Sequence, residues 1–293
     1  MRALVLWMWI CLLFAGCNTI NPAEQIPAYI RIPSPYGFSC NRLSQGTANQ
    51  RITDAWVYLD EQLVGVFELP ATFPVLATGN HNVRIAPGIK QNGITATRVS
   101  YPFFTDTTFS VTLSPNQTTE LKPLARYSRI SQFKWLEDFE SNDFTLERSG
   151  QSQVDPQISN LPTEPAEGLF CGKILLPPGS MRFECVSKQA YDLPKGGAFV
   201  YLELEYRINH PMVVGIYAYS GSSSAQFPVI NLNPTVDSNG NLIWKKTYIY
   251  LTPEVSPNVA ATNFRVFFGA QKNLVDESMQ GVFYLDNIKV ISP

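Results

Sequence analysis

Two glutamates on one predicted strand, Glu203 and Glu205, are the paired acids whose spacing could do chemistry. A strand rises about 3.3 Å per residue, so side chains two positions apart share a face, with backbones roughly 6.6 Å apart. Glycoside hydrolases hold their two carboxyl groups about 5 to 9.5 Å apart. Glu203 and Glu205 are therefore a candidate catalytic pair for the cleavage of a glycosidic bond.

The sequence contains few other residues or motifs that are typical of catalytic sites. His81 and His210 are the two histidines of the chain, and they fall in different predicted domains. The sequence has no Gly-x-Ser-x-Gly elbow, no His-Glu-x-x-His pair and no phosphate-binding loop. With a net charge of −2 and no basic patch, a nucleic-acid partner is not expected. These features favour a protein without enzymatic activity.

Alternation along three predicted strands, within 200–208, 212–219 and 244–251, separates apolar from polar and aromatic positions. If the strands adjoin, one sheet face gathers the following side chains: Tyr217, Tyr219, Trp244, Tyr248, Tyr250, Glu203, Glu205, Arg207 and Lys246. Aromatic rings beside charged groups suit the recognition of a glycan or a peptide. In the alternative interpretation, the tyrosines simply favour strands and pack beneath loops.

Cys40, Cys171 and Cys185 are the cysteines beyond the N-terminal region. The segments around Cys171 and Cys185 are predicted to form a hairpin around a turn at 177–180, which places the two thiols nearly opposite each other. An oxidising compartment permits a disulfide between them. The alternative is a pair of small buried apolar residues. Cys40 is left unpaired and is expected to be buried.

The N-terminus has the order of a secretory signal peptide. A charged start is followed by an apolar run over 3–14 and by the small residues Ala15 and Gly16. The apolar run is shorter than the roughly 20 residues of a membrane-spanning helix. We therefore predict a signal peptide over residues 1–16.

Phe14-Ala15-Gly16-Cys17 resembles the lipobox of bacterial lipoproteins. The resemblance implies cleavage before Cys17 and attachment of lipid to it, which would hold the protein to a membrane. The alternative is a plain signal peptide that leaves an ordinary thiol. The polar, proline-rich segment 17–38 is predicted to be a lipidated tether.

Residues 39–128 are predicted to form a small sandwich, because short strands alternate with turn signals. The sequences Val57-Tyr58-Leu59-Asp60, Gly65-Val66 and Leu69-Pro70, and the Gly-x-His-x-Val-x-Ile pattern over 79–85, resemble PEGA-like and carboxypeptidase-regulatory-like domains of bacterial surface proteins. This resemblance implies an immunoglobulin-like β-sandwich that acts as a spacer or contact module.

Residues 133–293 are predicted to form a second β domain with longer strands. The sequences at 135–140 and 283–290 resemble the first and last strands of jelly rolls of the carbohydrate-binding-module type. In that fold the terminal strands lie side by side and close a two-sheet sandwich. The Glu-Leu-Glu sequence at 203–205 also resembles a strand motif of jelly-roll glucanases, but Arg207 and Ile208 stand where that motif has a further acid.

Four acids, Glu137, Asp138, Glu140 and Asp286, are expected to meet where the first and last strands run together. Oxygen ligands suit a structural Ca²⁺, and the carbohydrate-module resemblance implies one, with Glu137, Glu140 and Asp286 as its ligands. The alternative is that these acids are solvated strand ends. The alternation of the last strand also shifts at 286–287, which predicts a β-bulge.

The sequence thus predicts an all-β chain with an immunoglobulin-like sandwich followed by a jelly roll. The predicted protein is a lipoprotein of the bacterial cell envelope, anchored at the outer membrane and facing the periplasm or the surface. Its predicted role is non-catalytic binding, most concretely of carbohydrate. The alternatives are a structural or assembly subunit that contacts other envelope proteins, and a jelly-roll glycoside hydrolase that uses Glu203 and Glu205.

Overall fold

The computed structural model describes residues 24–141 and 143–293. Within these residues the chain is all-β and forms two sandwiches in sequence, which confirms the predicted fold class. The predicted signal peptide and Cys17 lie outside the described residues. No helix in the described part of the chain is long and apolar enough to cross a membrane.

The N-terminal sandwich consists of short strands and one short helix. These are β1 (Ala28–Ile32), β2 (Gly37–Phe38), α1 (Arg42–Gln45), β3 (Asp54–Leu59), β4 (Gln62–Glu68), β5 (Ala71–Val75), β6 (Gly79–Lys90), β7 (Arg98–Ser100), β8 (Thr107–Leu113), β9 (Thr118–Glu120) and β10 (Leu124–Ala125). One sheet has the order β5-β1-β9, and the other has the order β4-β3-β6-β7 with β8 also paired to β6. Their apolar faces share one core, which includes Ile30, Val57 and Ile85.

The first strand shows where the prediction of a tether is wrong. Ala28, Ile30 and Ile32 are fully buried, and β1 pairs with β5 on one side and with β9 on the other. Residues 28–38 therefore belong to the N-terminal sandwich. The alternation of apolar and polar residues over 28–32 is the strand signal, although prolines surround it.

The C-terminal sandwich has longer strands. These are β11 (Gln132–Glu137), β12 (Leu146–Arg148), β13 (Gln157–Ser159), β14 (Cys171–Leu176), β15 (Arg182–Ser187), β16 (Tyr201–Ile208), β17 (Met212–Ser220), β18 (Ser223–Leu232), β19 (Lys245–Tyr250), α2 (Thr252–Val255), β20 (Asn263–Gln271) and β21 (Gly281–Ser292), with a 3-10 turn at Leu274–Asp276. One sheet has the order β13-β14-β21-β16-β19, with β11 paired to β21, and packs against the N-terminal sandwich through Tyr201 and Tyr248. We call it the docked sheet. The other, with the order β12-β15-β20-β17-β18, is the free sheet.

Alternation along the long strands determines which side chains enter the core. On β16, Leu202, Leu204 and Ile208 point between the two sheets and are fully buried. On β17, Met212, Val214 and Ile216 do the same from the free sheet. The predicted division of each strand into two faces is therefore confirmed.

The terminal strands of the sandwich lie side by side, as predicted, because β11 pairs antiparallel with β21. The register between β16 and β21 shifts between Glu203 and Glu205, opposite Asp286. Asn287 has a φ of 50°, in the left-handed region. The predicted bulge at 286–287 is therefore present.

The predicted hairpin between Cys171 and Cys185 is wrong. β14 lies in the docked sheet and β15 in the free sheet, so the short connection crosses from one sheet to the other. Cys185 packs in the core between the sheets, Cys171 lies outside that core, and both are free thiols, so the predicted disulfide is absent. Burial raises the pKa of both thiols, that of Cys171 to about 12. Cys40 is also free and is only partly buried.

Gly215, in the middle of β17, stands where a side chain does not fit. A Cβ at this position would lie 2.3 Å from the carbonyl oxygen of Phe227 on β18 and 2.5 Å from the ring of Phe267 on β20. The pairing of β17 with β18 shifts register at this residue. The glycine therefore lets the Phe267 ring lie directly against the backbone of β17.

We expect Gly215→Ala to lower the free energy of unfolding by about 1–3 kcal/mol, because a strand or a ring must move to admit the methyl group. Gly150 is the matched control, since its φ lies outside the left-handed region and an added Cβ meets no atom within 4 Å. Gly150→Ala is expected to change the same quantity by less than about 0.5 kcal/mol. Urea unfolding followed by tryptophan fluorescence measures both, and equal losses in the two variants would contradict the close packing at Gly215.

Candidate functional site

The outer face of the docked sheet around Glu203 and Tyr248 is buried beneath the N-terminal sandwich. Glu203 is 0% exposed and Glu205 is 2% exposed, and both accept hydrogen bonds from residues of the N-terminal sandwich. All four of their carboxylate oxygens already accept hydrogen bonds from protein side chains, so this enclosed pair has none left to engage a sugar chain. The use of this pair in a glycoside hydrolase is therefore excluded by the geometry, and their prediction as ligand-binding residues is wrong for the same reason.

Glu203 is the centre of a buried polar network. Its two carboxylate oxygens accept hydrogen bonds from the hydroxyl of Tyr101 at 3.1 Å and from that of Tyr127 at 2.8 Å. The ammonium groups of Lys246 and Lys289 lie 3.5 Å and 3.9 Å from the same carboxylate. Burial, and then the charge of Glu203, raises the pKa of both tyrosines, so their hydroxyls remain protonated donors.

Lys289 completes this network from the last strand. Its ammonium donates to the carbonyl oxygen of Thr47 at 3.1 Å and to the hydroxyl of Tyr127 at 3.0 Å, both in the segment before β11. Burial lowers the pKa of Lys289 to about 8, and the nearby Glu203 opposes that shift. The network therefore joins the two sandwiches through charges that have little access to water.

Glu205 and Asp286 form a second acidic group beside the first. Glu205 accepts from the side-chain amides of Asn49 at 2.7 Å and Asn287 at 2.8 Å. Asp286 is 1% exposed and accepts from the backbone N–H of Ala166 at 3.0 Å. Burial raises the pKa of Asp286 from 3.8 to about 8, and the charge of Glu205 adds to the rise.

The free edge of β19 is covered by a loop of the N-terminal sandwich. Gln91 forms a parallel bridge with Tyr248, and the backbone N–H of Asn92 donates to the Tyr248 carbonyl oxygen at 2.8 Å. The side-chain oxygen of Asn92 accepts from the backbone N–H of Tyr250 at 2.9 Å. Strand pairing thus holds the two sandwiches together in addition to the buried charges.

The structure does not bring the predicted aromatic residues onto one face. Tyr248 is 2% exposed and its hydroxyl donates to Gln50 of the N-terminal sandwich, while Tyr250 packs on Tyr201 with ring centres 5.0 Å apart. Tyr217 and Tyr219 belong to the other sheet. The single platform predicted from alternation is therefore wrong, because β16 and β17, although joined by a short turn, lie in different sheets.

Two other members of that predicted platform lie beneath a loop. The guanidinium of Arg207 lies 5.3 Å from the centre of the Trp244 ring and donates to the Thr163 carbonyl oxygen. Trp244 donates its ring N–H to the Glu164 carbonyl oxygen at 3.0 Å. Arg207 and Trp244 therefore hold the loop around 163–164, as the alternative interpretation of these residues expected.

The outer face of the free sheet is not covered by the N-terminal sandwich. Tyr217 and Tyr219 lie on it with ring centres 6.3 Å apart and ring planes at 38°. The hydroxyl of Tyr217 donates to Glu184 at 2.8 Å, and the amide of Gln226 donates to the other oxygen of the same carboxylate at 2.9 Å. Within the described residues, no side chain of the N-terminal sandwich bonds to this surface. We call the surface of Tyr217, Tyr219, Glu184, Gln226 and Arg265 the open face.

The acids predicted to bind Ca²⁺ do not fit a metal site. Glu137 accepts from the backbone N–H groups of Phe139 and Thr145, and Glu140 accepts from those of Leu169 and Phe170. The oxygens of Asp286 likewise accept from backbone N–H groups. Among residues 24–141 and 143–293, no group of three acid, histidine or cysteine side chains is arranged to hold a metal ion. These acids anchor loops instead.

Sequence reasoning missed Glu184, Gln226 and Arg265 as neighbours of Tyr217 on this surface. Gln226 lies directly across from Tyr217 on β18, and Arg265 lies across from it on β20. Arg265 is further held by an ion pair with Glu147. Alternation within β18 and β20 places these side chains on one face, but only the order of strands in the sheet brings them beside Tyr217.

No family model matches the chain, and no curated protein matches it in sequence. Among solved structures, the chain is similar to one that gives the structural basis for the promiscuous specificity of carbohydrate-binding modules from the β-sandwich superfamily. The identity is 13%, the TM-score is 0.42, and the match covers 92% of this chain and 99% of that chain.

Two further structures match the chain over about half its length. A xylan-binding domain of carbohydrate-binding module family 22 is 13% identical with a TM-score of 0.36, over 55% of this chain and 94% of that chain. A family 11 module from Clostridium thermocellum, in complex with a β-1,3-1,4-mixed-linked tetrasaccharide, is 13% identical with a TM-score of 0.35, over 56% and 96%. These neighbours are carbohydrate-binding modules, at similarities too low to carry over a site or a ligand.

The raised pKa of Asp286 predicts how stability depends on pH. Between pH 4 and 8 the folded protein holds a proton on Asp286 that the unfolded chain has released, so this group stabilises the fold at low pH and less as the pH rises. The variant Asp286→Asn lacks this ionisable group. We therefore expect the wild type to lose, relative to the variant, on the order of a few kcal/mol of unfolding free energy between pH 4 and pH 8.

Urea unfolding at several pH values measures this difference. Using the difference removes the contributions of ionisable groups that behave alike in the variant and the wild type. Asp192→Asn is the matched control, because Asp192 is exposed. A difference between Asp286→Asn and wild type that stays constant from pH 4 to 8 would contradict a protonated Asp286.

Proposed function

We propose that the protein is a non-catalytic carbohydrate-binding protein of the bacterial cell envelope, and that its open face binds the sugar. The observation that carries this proposal is the contrast between the two outer faces of the C-terminal sandwich. The N-terminal sandwich and the loop around 163–164 cover the docked sheet, whereas the free sheet presents two partly exposed tyrosines beside polar side chains.

The chemistry of the open face suits a sugar. The apolar faces of Tyr217 and Tyr219 can stack on the C–H surfaces of sugar rings, while hydroxyl groups bond to neighbouring polar side chains. Glu184 accepts and Gln226 and Arg265 donate, so both kinds of hydrogen bond are supplied. The mutual hydrogen bonds of Tyr217, Glu184 and Gln226 hold these side chains in place before a ligand arrives.

We also propose that lipid on Cys17 anchors the protein, at the outer membrane. This proposal rests on the sequence alone: a charged start, a short apolar run and Ala-Gly before Cys17. Residues 24–27 then precede the first strand of the sandwich. In this arrangement the folded body stands close to the bilayer surface and presents its sugar-binding face to the periplasm or the medium.

We expect Tyr217→Ala and Tyr219→Ala each to weaken binding to a neutral glycan by about five- to tenfold, because stacking on an aromatic ring is worth about 1 kcal/mol. The measurement is a glycan array with the full-length protein in detergent, followed by titration of the strongest hit. Tyr250→Ala is the matched control, because it removes the same side chain from the docked sheet and should leave binding unchanged.

Two results of this experiment would overturn the proposal. A hit that survives both tyrosine substitutions would place the sugar elsewhere on the protein. The absence of any hit would favour the alternative role as an assembly subunit that contacts other envelope proteins.

We expect Cys17→Ala to move the protein from the membrane fraction to the soluble fraction when cells are broken without detergent, because no acyl chain would remain to hold it. Mass spectrometry of the wild type should show a chain that begins at residue 17 and carries acyl groups. A wild-type protein that begins at residue 17 with an unmodified thiol would contradict lipidation and leave a plain signal peptide.

A further inference from the structure

A cleft of about 430 Å³ lies between the two sandwiches, next to β19. Its N-terminal wall consists of Arg51, Thr53, the end of β6 at Lys90, and the loop after β6 that contains Asn92. Its C-terminal wall consists of the last residues of β18 and the first residues of β19. This volume lies within the range of about 300–1,000 Å³ that is usual for small-molecule sites.

The position of the cleft explains why side chains from both faces of one strand line it. β18 and β19 are the terminal strands of their two sheets, and the cleft lies beside them, next to the loop that covers part of the β19 edge. Lys246 and Tyr248 come from the docked face of β19, and Lys245 and Thr247 come from its opposite face. Four consecutive residues of β19 therefore line the cleft.

The lining of the cleft has an excess of positive charge. It contains Arg51, Lys90, Lys245 and Lys246 but no carboxylate. Lys90 is neutralised by Glu68 at 2.8 Å. For Arg51 and Lys245, no carboxylate lies within ion-pair distance in the part of the chain that the structure describes.

Two buried polar groups in the lining lack hydrogen-bond partners. The side chain of Lys246 is 4% exposed, and its ammonium makes no hydrogen bond among the described residues. The hydroxyl of Thr247, a residue that is 3% exposed, has no partner either. The Glu203 carboxylate lies 3.5 Å from the Lys246 ammonium, but it also pairs with Lys289 and accepts hydrogen bonds from two tyrosine hydroxyls. A buried donor without an acceptor is unfavourable unless a bound molecule supplies one.

Recognition in this cleft relies on charge and hydrogen bonds rather than on stacking. Tyr206 and Tyr248 are the aromatic residues of the lining, and they are 8% and 2% exposed, so their ring faces are covered. The other lining groups include hydroxyls and amides: Thr53, Asn92, Thr95, Asn231 and Asn233. This set matches a molecule that combines many hydroxyl groups with at least one anionic group.

We propose that the cleft is a second binding site, separate from the open face, for a short acidic oligosaccharide. Its carboxylate or sulfate group pairs with Lys245 and Arg51 near the mouth and accepts a hydrogen bond from Lys246. Its hydroxyl groups bond to Thr247 and to the amides of the lining. The site needs both sandwiches, because its cationic groups come from both.

The test is isothermal titration calorimetry of the full-length protein in detergent. The probes are α-1,4-linked digalacturonic acid, the corresponding neutral galactobiose, and a galactobiose that carries a 6-sulfate. We expect an acidic probe to bind at least about tenfold more tightly than the neutral one, and its affinity to fall with added NaCl. The two acidic probes distinguish a carboxylate ligand from a sulfate ligand.

The variant Lys245→Glu reverses the charge of a partly buried side chain at the cleft. It should lower the affinity for the acidic probe by at least about tenfold. Lys195→Glu is the matched control, because Lys195 is also partly buried in the C-terminal sandwich but lies outside the cleft, and it should leave the affinity unchanged. Tyr217→Ala should also leave it unchanged, since that residue belongs to the open face.

Three results would overturn the proposal: equal binding of neutral and acidic probes, binding of an acidic probe that Lys245→Glu leaves intact, or no binding of any probe. None of these results affects the proposed function, because the array and the tyrosine variants test the open face independently.

Discussion

The burial of Glu203 between the two sandwiches is the constraint on which the rest of the structure depends. A carboxylate that is removed from water is stable only when charged and hydrogen-bonding partners surround it. Lys246 and Lys289 supply the charge from the docked sheet, and Tyr101 and Tyr127 supply hydroxyl donors from the segment before β11. Neither sandwich alone satisfies this group, so the two sandwiches are stable in the docked arrangement.

Docking in turn decides which surfaces of the C-terminal sandwich can meet a ligand. The outer face of the docked sheet, which carries Glu203, Glu205 and Lys246, is the covered one. Its tyrosines join an apolar cluster with Phe103 and Phe104 of the N-terminal sandwich. The opposite face of the molecule keeps its polar groups at the surface. There the hydrogen bonds of Glu184 to Tyr217 and Gln226 fix the side chains without enclosing them.

Much of the fold could be predicted from the sequence, because period-two alternation determines which residues of a strand enter the core. The adjacency of the first and last strands and the bulge at 286–287 could also be predicted. The assignment of strands to sheets could not. The turn from Ile208 to Met212 and the turn from Leu176 to Arg182 are short enough for hairpins, yet each crosses between sheets. The wrong predictions of the aromatic platform and of the disulfide both follow from that one ambiguity.

The burial of Glu203 and Glu205 had no signal in the sequence either. Alternation places them on a polar strand face, and such a face is ordinarily solvated. The residues that cover them, Tyr101 and Asn49, lie more than 100 positions away along the chain. Composition shows that charged residues are scarce, at 16%, but not which of them lie inside. Only the contact between two domains reveals that these acids serve stability rather than catalysis.

Lys246 links the docking of the sandwiches to the cleft beside β19. It belongs to the network around Glu203 and also lines the cleft, whose walls come from both sandwiches. The cleft therefore exists only in the docked arrangement, and a molecule that binds there stabilises docking by a free energy that grows with the logarithm of its concentration relative to its Kd. A molecule on the open face contacts the free sheet alone and has no such effect. The two surfaces thus differ in their effect on stability as well as in chemistry. The cleft is formed by both sandwiches, so a ligand there stabilises their docking, whereas the open face is formed by the free sheet alone.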